Sequence, residues 1–299
     1  MRRSFDRAHG RRQEHGAYLL MLLPTFFTLC LFFYYPAGTA LYYSFFDWDG
    51  ENAWFIGIQN FVDMWFDPVL HISLVNLAIY VVLSLAVGLA MPWLGAELIF
   101  GLRRSSWRSF FQFSFLVPTL VPGIVVILLW QFMYDPSLGL LNAALETLGL
   151  GERAMLWLGS PKTALYCFVG IGFPWVSGTS VLILLSGLNA IPTSVHEYAR
   201  LEGVGAIRRA WEIDFPFLVG QIRLLAITGC IGLMQSFGLQ LILTLGGPGT
   251  STMVPGYHMY LNAFSYDRLG YASALGLFIA AIILLLTVVT SRFLRTEEI

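Results

Sequence analysis

The residues with the densest chemistry lie in one stretch: Glu197-Tyr198-Ala199-Arg200-Leu201-Glu202-Gly203, followed by Ile213-Asp214-Phe215-Pro216. The chain as a whole is 57% AVILMFWYC and only 12% charged, so a polar run between two apolar ones stands apart. Its spacing is not that of a catalytic centre. The histidines, His9, His15, His71, His196 and His258, show no His-Glu-x-x-His pattern. Cys30, Cys167 and Cys230 fall inside apolar segments without metal-ligand spacing and read as small apolar filler. No Gly-x-x-x-x-Gly-Lys-Ser/Thr loop is present, and the single lysine is Lys162. No catalytic residue, metal or cofactor is therefore assigned to this chain.

The elements that position this stretch follow from the bilayer. Soluble domains carry roughly 25% charged residues, about twice what is found here. About 20 apolar residues make one crossing. Six spans meet that length with few charges: about 18–46, 72–99, 110–134, 163–187, 217–244 and 269–294. With no dyad-alternating strands, helices are the only solution that satisfies the backbone in lipid. The expected fold class is an all-α membrane protein of about six transmembrane helices with a polar helical hairpin. Pro24, Pro36, Pro118, Pro122 and Pro174 predict kinks. The segments expected are a basic tail at 1–17, a transmembrane domain at 18–294 with its polar loop at about 188–216, and a short tail at 295–299.

Arginine placement sets the orientation. The N-terminal tail (Arg2, Arg3, Arg7, Arg11, Arg12), the second connection (Arg103, Arg104, Arg108), the fourth (Arg200, Arg208, Arg209, Arg223) and the C-terminal end (Arg292, Arg295) share one side. Only Arg153, Lys162 and Arg268 fall on the other, where the first connection carries Asp47, Asp49, Glu51, Asp63 and Asp67 instead. By the positive-inside rule both termini and the polar loop are cytoplasmic in a multi-pass plasma (inner) membrane protein. A formal net charge of −1 speaks against a nucleic-acid partner, leaving membrane lipid as the surrounding phase.

Within the loop, Ser194 followed by Glu197 fits a capping box. The helix then runs to Glu202, and Gly203 takes the left-handed conformation that ends it. A second helix from about Ala206 is expected to stop before Pro216, which opens the fifth span. Two readings of these residues stay open: helix caps and nothing more, or a docking element. Arg200, Glu202, Arg208 and Arg209 are likewise either charged rim contacts or a solvated helix face.

The full spacing resembles the EAA loop of ABC-importer permeases: Glu197 and Ala199, Gly203 four residues on, Ile213 ten further, Pro216 three further. The departures are Tyr198 for the first alanine, Glu202 for aspartate, Val204 for alanine and Phe215 for leucine. Three more pieces look like the carbohydrate-uptake, maltose or glycerol-phosphate branch of that family, first-permease type. They are Phe55-Ile56-Gly57-Ile58-Gln59-Asn60-Phe61, Asp135-Pro136-Ser137-Leu138-Gly139-Leu140-Leu141-Asn142, and Leu245-Gly246-Gly247-Pro248-Gly249 with Leu269-Gly270-Tyr271-Ala272-Ser273-Ala274.

The resemblance implies a sugar or oligosaccharide importer permease, working with a second homologous permease, two ATP-binding-cassette ATPase subunits that bind the ATP, and an extracytoplasmic solute-binding protein. It implies ATPase coupling through Glu197, Tyr198, Ala199, Arg200, Glu202 and Gly203. For the solute it implies Gly172 and Trp175 on the fourth span, and Gly229, Gly232, Leu233, Gln235 and Ser236 on the fifth. Interfacial anchoring explains Trp175 otherwise, and close helix packing explains the small residues about as well. No Asp, Glu, Lys or Arg sits clearly at mid-membrane depth; Glu97 and Arg223 lie near span ends. That argues against an ion-coupled transporter and favours a neutral solute. Importers of glycerol phosphate or a polyamine, a membrane scaffold and an intramembrane enzyme remain the competing readings.

Overall fold

The computed structural model describes residues 20–173 and 177–293. The chain divides into two compact units: one up to Phe66 with Met259–Phe278, the other Asp67–His258 with the residues from Ile279 on.

In the first unit, helix α1 (Leu20–Tyr43) is long and apolar enough to cross a membrane, and its apolar window is wholly unburied, as a lipid-facing helix should be. The turn widens to a π-helix over Cys30–Tyr34, just before Pro36, so the ring is absorbed without a break. Strands β1 (Phe46–Trp48) and β2 (Ala53–Phe55) then form a small antiparallel hairpin that the all-α reading did not foresee. Asp49 builds its turn, accepting from the backbone N–H of Glu51 and Asn52 and from the Asn52 amide. Those bonds hold the Asp49 carboxyl below the usual range, the Asn52 backbone bond most of all. Helix α2 (Gln59–Phe66) follows, and buried Asn60 ties it to the carbonyls of Ser44 and Phe46 at 2.9 Å each.

The second unit is built on helix α3 (Pro68–Phe100), 33 residues capped by the Asp67 carboxylate. At 1.5 Å per residue it is about 50 Å long, more than the hydrocarbon core requires. It contains a buried proline, Pro92, absent from the sites where a kink was expected. The third expected span is two helices: α4 (Ser105–Leu116), extended as a 3₁₀ turn to Leu120, and α5 (Gly123–Met133), bent by 90°. Pro118 and Pro122 flank the bend, as expected of residues that cannot continue the ladder. After α6 (Leu140–Thr147), the fourth span is interrupted too: α7 (Ala164–Gly170) and α8 (Gly178–Ala190) are separated by residues 171–177. Pro174 and Trp175 lie outside the described residues.

The polar loop comprises α9 (Thr193–Leu201), α10 (Ala206–Arg209), a π-helical stretch over Ala210–Asp214, and α11 (Phe215–Phe217). The α-helix begun at Ala206 gives way at Ala210 to the π-helical stretch, and Pro216 stands at the second position of α11. A proline there removes only an N–H that the first turn leaves unpaired. The fifth span is α12 (Val219–Gln235), continued after Ser236–Phe237 by a π-turn over Gln240–Thr244. Helices α13 (Pro255–Phe264) and α14 (Leu269–Phe293) complete the chain. Among the described residues, four helices are long and apolar enough to span, and up to six if each bent pair is one span.

The main core of the second unit lies directly over the polar loop: Trp93, Ala96 and Ile99 of α3 pack with Val181, Leu184, Leu185 and Leu188 of α8 and with Leu218. A smaller cluster joins Tyr80 to Leu165 and Phe168. The connection after α5 is closed by buried Asn142. Its amide donates to the carbonyls of Pro136 and Met155 and accepts from Met155 N–H and Trp157 Nε1–H, at 2.8 to 3.3 Å. Asp135 turns the chain into this knot by accepting from Leu138 N–H and then Ser137 N–H, which lowers its carboxyl pKa, the Leu138 bond most of all. Asn142→Ala orphans four groups at once; an unfolding loss of about 2–4 kcal/mol is expected, read as thermal stability in detergent.

Candidate functional site

Helix α9 leaves α8 at a bend of 76°. Pro192 stands at its N-cap with φ −56° and ψ 134°, and no side chain caps the first turn. The capping box expected of Ser194 and Glu197 is therefore not formed. With Pro192 as N-cap the helix starts two residues early and leaves Ser194 inside the first turn.

The other end follows expectation. Gly203 has φ +70°, its N–H bonds the Arg200 carbonyl at 3.1 Å, and Val204 N–H reaches back to Ala199 at 2.9 Å. These two bonds are the Schellman motif, which satisfies carbonyls that a helix end otherwise leaves open.

The faces of α9 divide cleanly. Ala199 is buried, with Val195 packed against the core below. Glu197, Arg200 and Glu202 are exposed, and so are two large apolar side chains, Tyr198 at 71% and Leu201 at 84%. Ile207, on the second limb, is also exposed. Tyr198, Leu201 and Ile207 thus form an exposed apolar patch on an otherwise polar loop.

Arg209 behaves differently from the other loop arginines. Arg208 makes an exposed i,i+4 pair with Glu212 at 2.7 Å, worth little in water. Arg209 instead turns inward: Nε bonds Asp214 Oδ2 at 2.8 Å and Nη2 bonds Glu97 Oε2 of α3 at 3.2 Å. Asp214 is fully buried. His196 of α9 lies with Nδ1 3.7 Å from Asp214 Oδ1, beyond hydrogen-bond reach. The Phe100 ring at the end of α3 stands 5.3 Å from each of the Arg108 and Arg209 guanidinium carbons and from the His196 ring centre. Neither a rim contact nor a solvated face describes Arg209. The sequence reading missed the Asp214 pairing because residues five apart do not share an α-helical face.

The residues expected to line a solute path are not gathered at one place. Gly172, at φ +89°, borders a cavity of about 420 Å³ with Thr119, Trp130 and Ser177 among its walls. On α12, a Cβ at Gly229 would meet Leu85 at 3.0 Å, and Leu233 packs on the Tyr80 cluster, so both lie in helix contacts. Gly232, Gln235 and Ser236 are exposed, Ser236 just beyond the helix end. Trp175 lies outside the described residues. At the opposite end of α3 from Glu97, Asp67 Oδ2 holds His258 at 2.7 Å, and Asn76 donates to the carbonyls of Thr250 and Met253. The glycine-rich loop 245–254 is thereby fastened to that end of α3.

Long apolar helices and two bent helix pairs, with a polar hairpin at one end, define a multi-span membrane protein. Residues 84–296 match the family described as binding-protein-dependent transport system inner membrane component, and the chain belongs to that family. It is 31% identical over 282 residues to the probable ABC transporter permease protein YurN of Bacillus subtilis, covering 93% of this chain and 96% of the relative. It is 32% identical over 285 residues to the sulfoquinovosyl glycerol transport system permease protein SmoG of Agrobacterium fabrum, covering 94% and 91%. Its fold resembles a chain of a bacterial ABC transporter involved in the import of the acidic polysaccharide alginate, with TM-score 0.85 and 22% identity over 98% of this chain and 100% of that one. The chain is thus an inner-membrane permease, and ATP hydrolysis belongs to a separate subunit.

Proposed function

We propose that this permease carries a sugar or oligosaccharide inward and is driven by ATPase subunits that dock on α9. The observation that carries the reading is α9 itself. A helix with its inner face packed on the core shows Glu197, Tyr198, Arg200, Leu201 and Glu202 outward and is stopped sharply by Gly203. Such an element moves as a rigid body and passes displacement to the spans it leaves, α8 and α12. Positive-inside placement of the arginines puts it, with both termini, on the cytoplasmic side where ATP is available. A second homologous permease completes the passage, and an extracytoplasmic solute-binding protein delivers the solute.

The sugar assignment is supported by the carbohydrate-branch motifs and by the sulfoquinovosyl glycerol system named for SmoG. Gly172 and Trp175, with the exposed Gly232, Gln235 and Ser236 of α12, are the solute-facing candidates. Trp130 joins them through the cavity it shares with Gly172, supplying an aromatic face suited to sugar C–H groups.

Leu201→Glu tests the docking. The side chain is 84% exposed, so the change leaves the permease fold and its thermal stability as they are. It places a charge in an apolar contact with the ATPase. Co-purification of the ATPase and uptake are expected to fall at least about tenfold, equivalent to roughly 1.4 kcal/mol of association free energy. Full retention of the ATPase by the Leu201→Glu permease overturns the docking.

A further inference from the structure

The buried charges beneath α9 do more than fill the core. Asp214 lies in the π-helical stretch, and the wider i→i+5 turn brings it beside Arg209, five residues earlier, which on an α-helix would stand about 140° away. A fully buried carboxylate needs a bonded counter-charge, and Arg209 supplies it. The same guanidinium reaches Glu97, 112 residues distant and one turn from the end of α3. One planar fork therefore ties the second limb of the hairpin to a transmembrane helix.

We propose that Arg209, bridging Asp214 and Glu97, is the joint that delivers displacement of the hairpin to α3, and that α3 carries it to the loop fastened at its far end. This rests on the reading of α9 as the ATPase contact.

Three observations support it. The link falls on α3 and not on α8 or α12, the two spans the hairpin is covalently joined to, so it adds a third path for motion. Helix α3 is continuous from Asp67 to Phe100, and its far end holds His258 through Asp67 and residues 250 and 253 through Asn76. Glu97 and the residues that fasten the loop thus lie on one continuous helix. The joint is also incompletely closed: Asp214 Oδ1 and Glu97 Oε1 have no bonded partner, and neither ring nitrogen of His196 has one. The 3.7 Å separation of His196 from Asp214 closes with a shift of α9 of about 1 Å, to a hydrogen-bonded distance near 2.8 Å. Docking of α9 therefore has a second arrangement of these charges available to it, as a two-state element requires.

The role needs arginine. A lysine keeps the charge but cannot present two N–H groups in a plane to two carboxylates. Glu97→Gln keeps the Arg209–Asp214 bond and removes the α3 charge that faces both Arg209 and Asp214.

The test uses the full transporter in proteoliposomes, with Arg209→Lys, Glu97→Gln and the double variant. Uptake per assembled complex is read beside ATP hydrolysis with and without solute-loaded binding protein. Each single variant is expected to keep basal hydrolysis and to lose about tenfold in uptake per complex, and the double variant is expected to be no worse than either single one. A merely structural role lowers the recovery of complex but not uptake per complex. Unchanged uptake per complex in both single variants, or losses that multiply in the double variant, overturns the joint. Leu201→Glu separates the two readings. If it leaves the ATPase bound, the docking reading fails whatever Arg209 does; if it releases the ATPase while Arg209→Lys and Glu97→Gln transport normally, only the joint fails.

Discussion

Gly203→Val is expected to abolish coupled uptake while Gly203→Asn largely preserves it. At φ +70° the residue is left-handed, which costs an ordinary side chain about 1–2 kcal/mol and a β-branched one more. Asparagine bears the conformation best of the non-glycine residues. Space is not the issue, since a Cβ at Gly203 meets nothing within 4 Å. The penalty therefore acts only through the backbone, on the bonds from Gly203 and Val204 N–H that stop α9. Losing them lets α9 unwind or run on, turning Glu202 and the second limb away from their positions. A shift of 1–2 kcal/mol changes the population of the stopped hairpin by roughly 5- to 30-fold. Uptake per assembled complex in the two variants is the measurement, and equal uptake would remove the glycine turn from the mechanism.

That turn was legible because its cause is local: a glycine at the end of a short charged helix has one common use. The spans were legible for a similar reason, since their length and lack of charge report directly on lipid. Where the expectation slipped, a non-local or geometric factor decided. Ser194 and Glu197 have capping-box spacing, but Pro192 begins the helix before the serine can cap it. The third and fourth spans read as single apolar segments in the sequence, although Val121–Pro122 divides the third and the helix of the fourth stops at Gly170, before Ile171. The Arg209–Asp214–Glu97 cluster was hidden twice over: one pair exists only because the helix widens to i→i+5, and the other joins residues 112 apart. Small residues proved ambiguous in sequence and divided in structure. Gly229 packs on Leu85, whereas Gly232 faces open space.

Gly178 offers the sharpest case of a glycine whose reason is another element's backbone. It is the first residue of α8, next to the Ser177 N-cap, and a Cβ there would collide with the carbonyl of Phe115 near the end of α4. A carbonyl in a helix cannot rotate aside as a side chain can, so Gly178→Ala must push α8 and α4 apart. Phe115 also fills the gap beside Gly95 of α3, where a Cβ would stand 3.3 Å from the ring, so the strain spreads into the core over the hairpin. Overpacking of this kind costs about 1–3 kcal/mol. Gly178, Ser177 and Gly172 border the same cavity, whose wall moves with α8. Gly178→Ala is therefore expected to lower thermal stability and to reduce uptake per complex about tenfold. Gly220→Ala is the control: it also lies in a spanning helix, but its Cβ meets nothing, and a gain of about 0.5–1 kcal/mol is expected from helix propensity alone. Thermal unfolding in detergent beside uptake in proteoliposomes reads both. Matching behaviour of the two alanine variants would mean that α8 and α4 do not approach each other this closely in the working transporter.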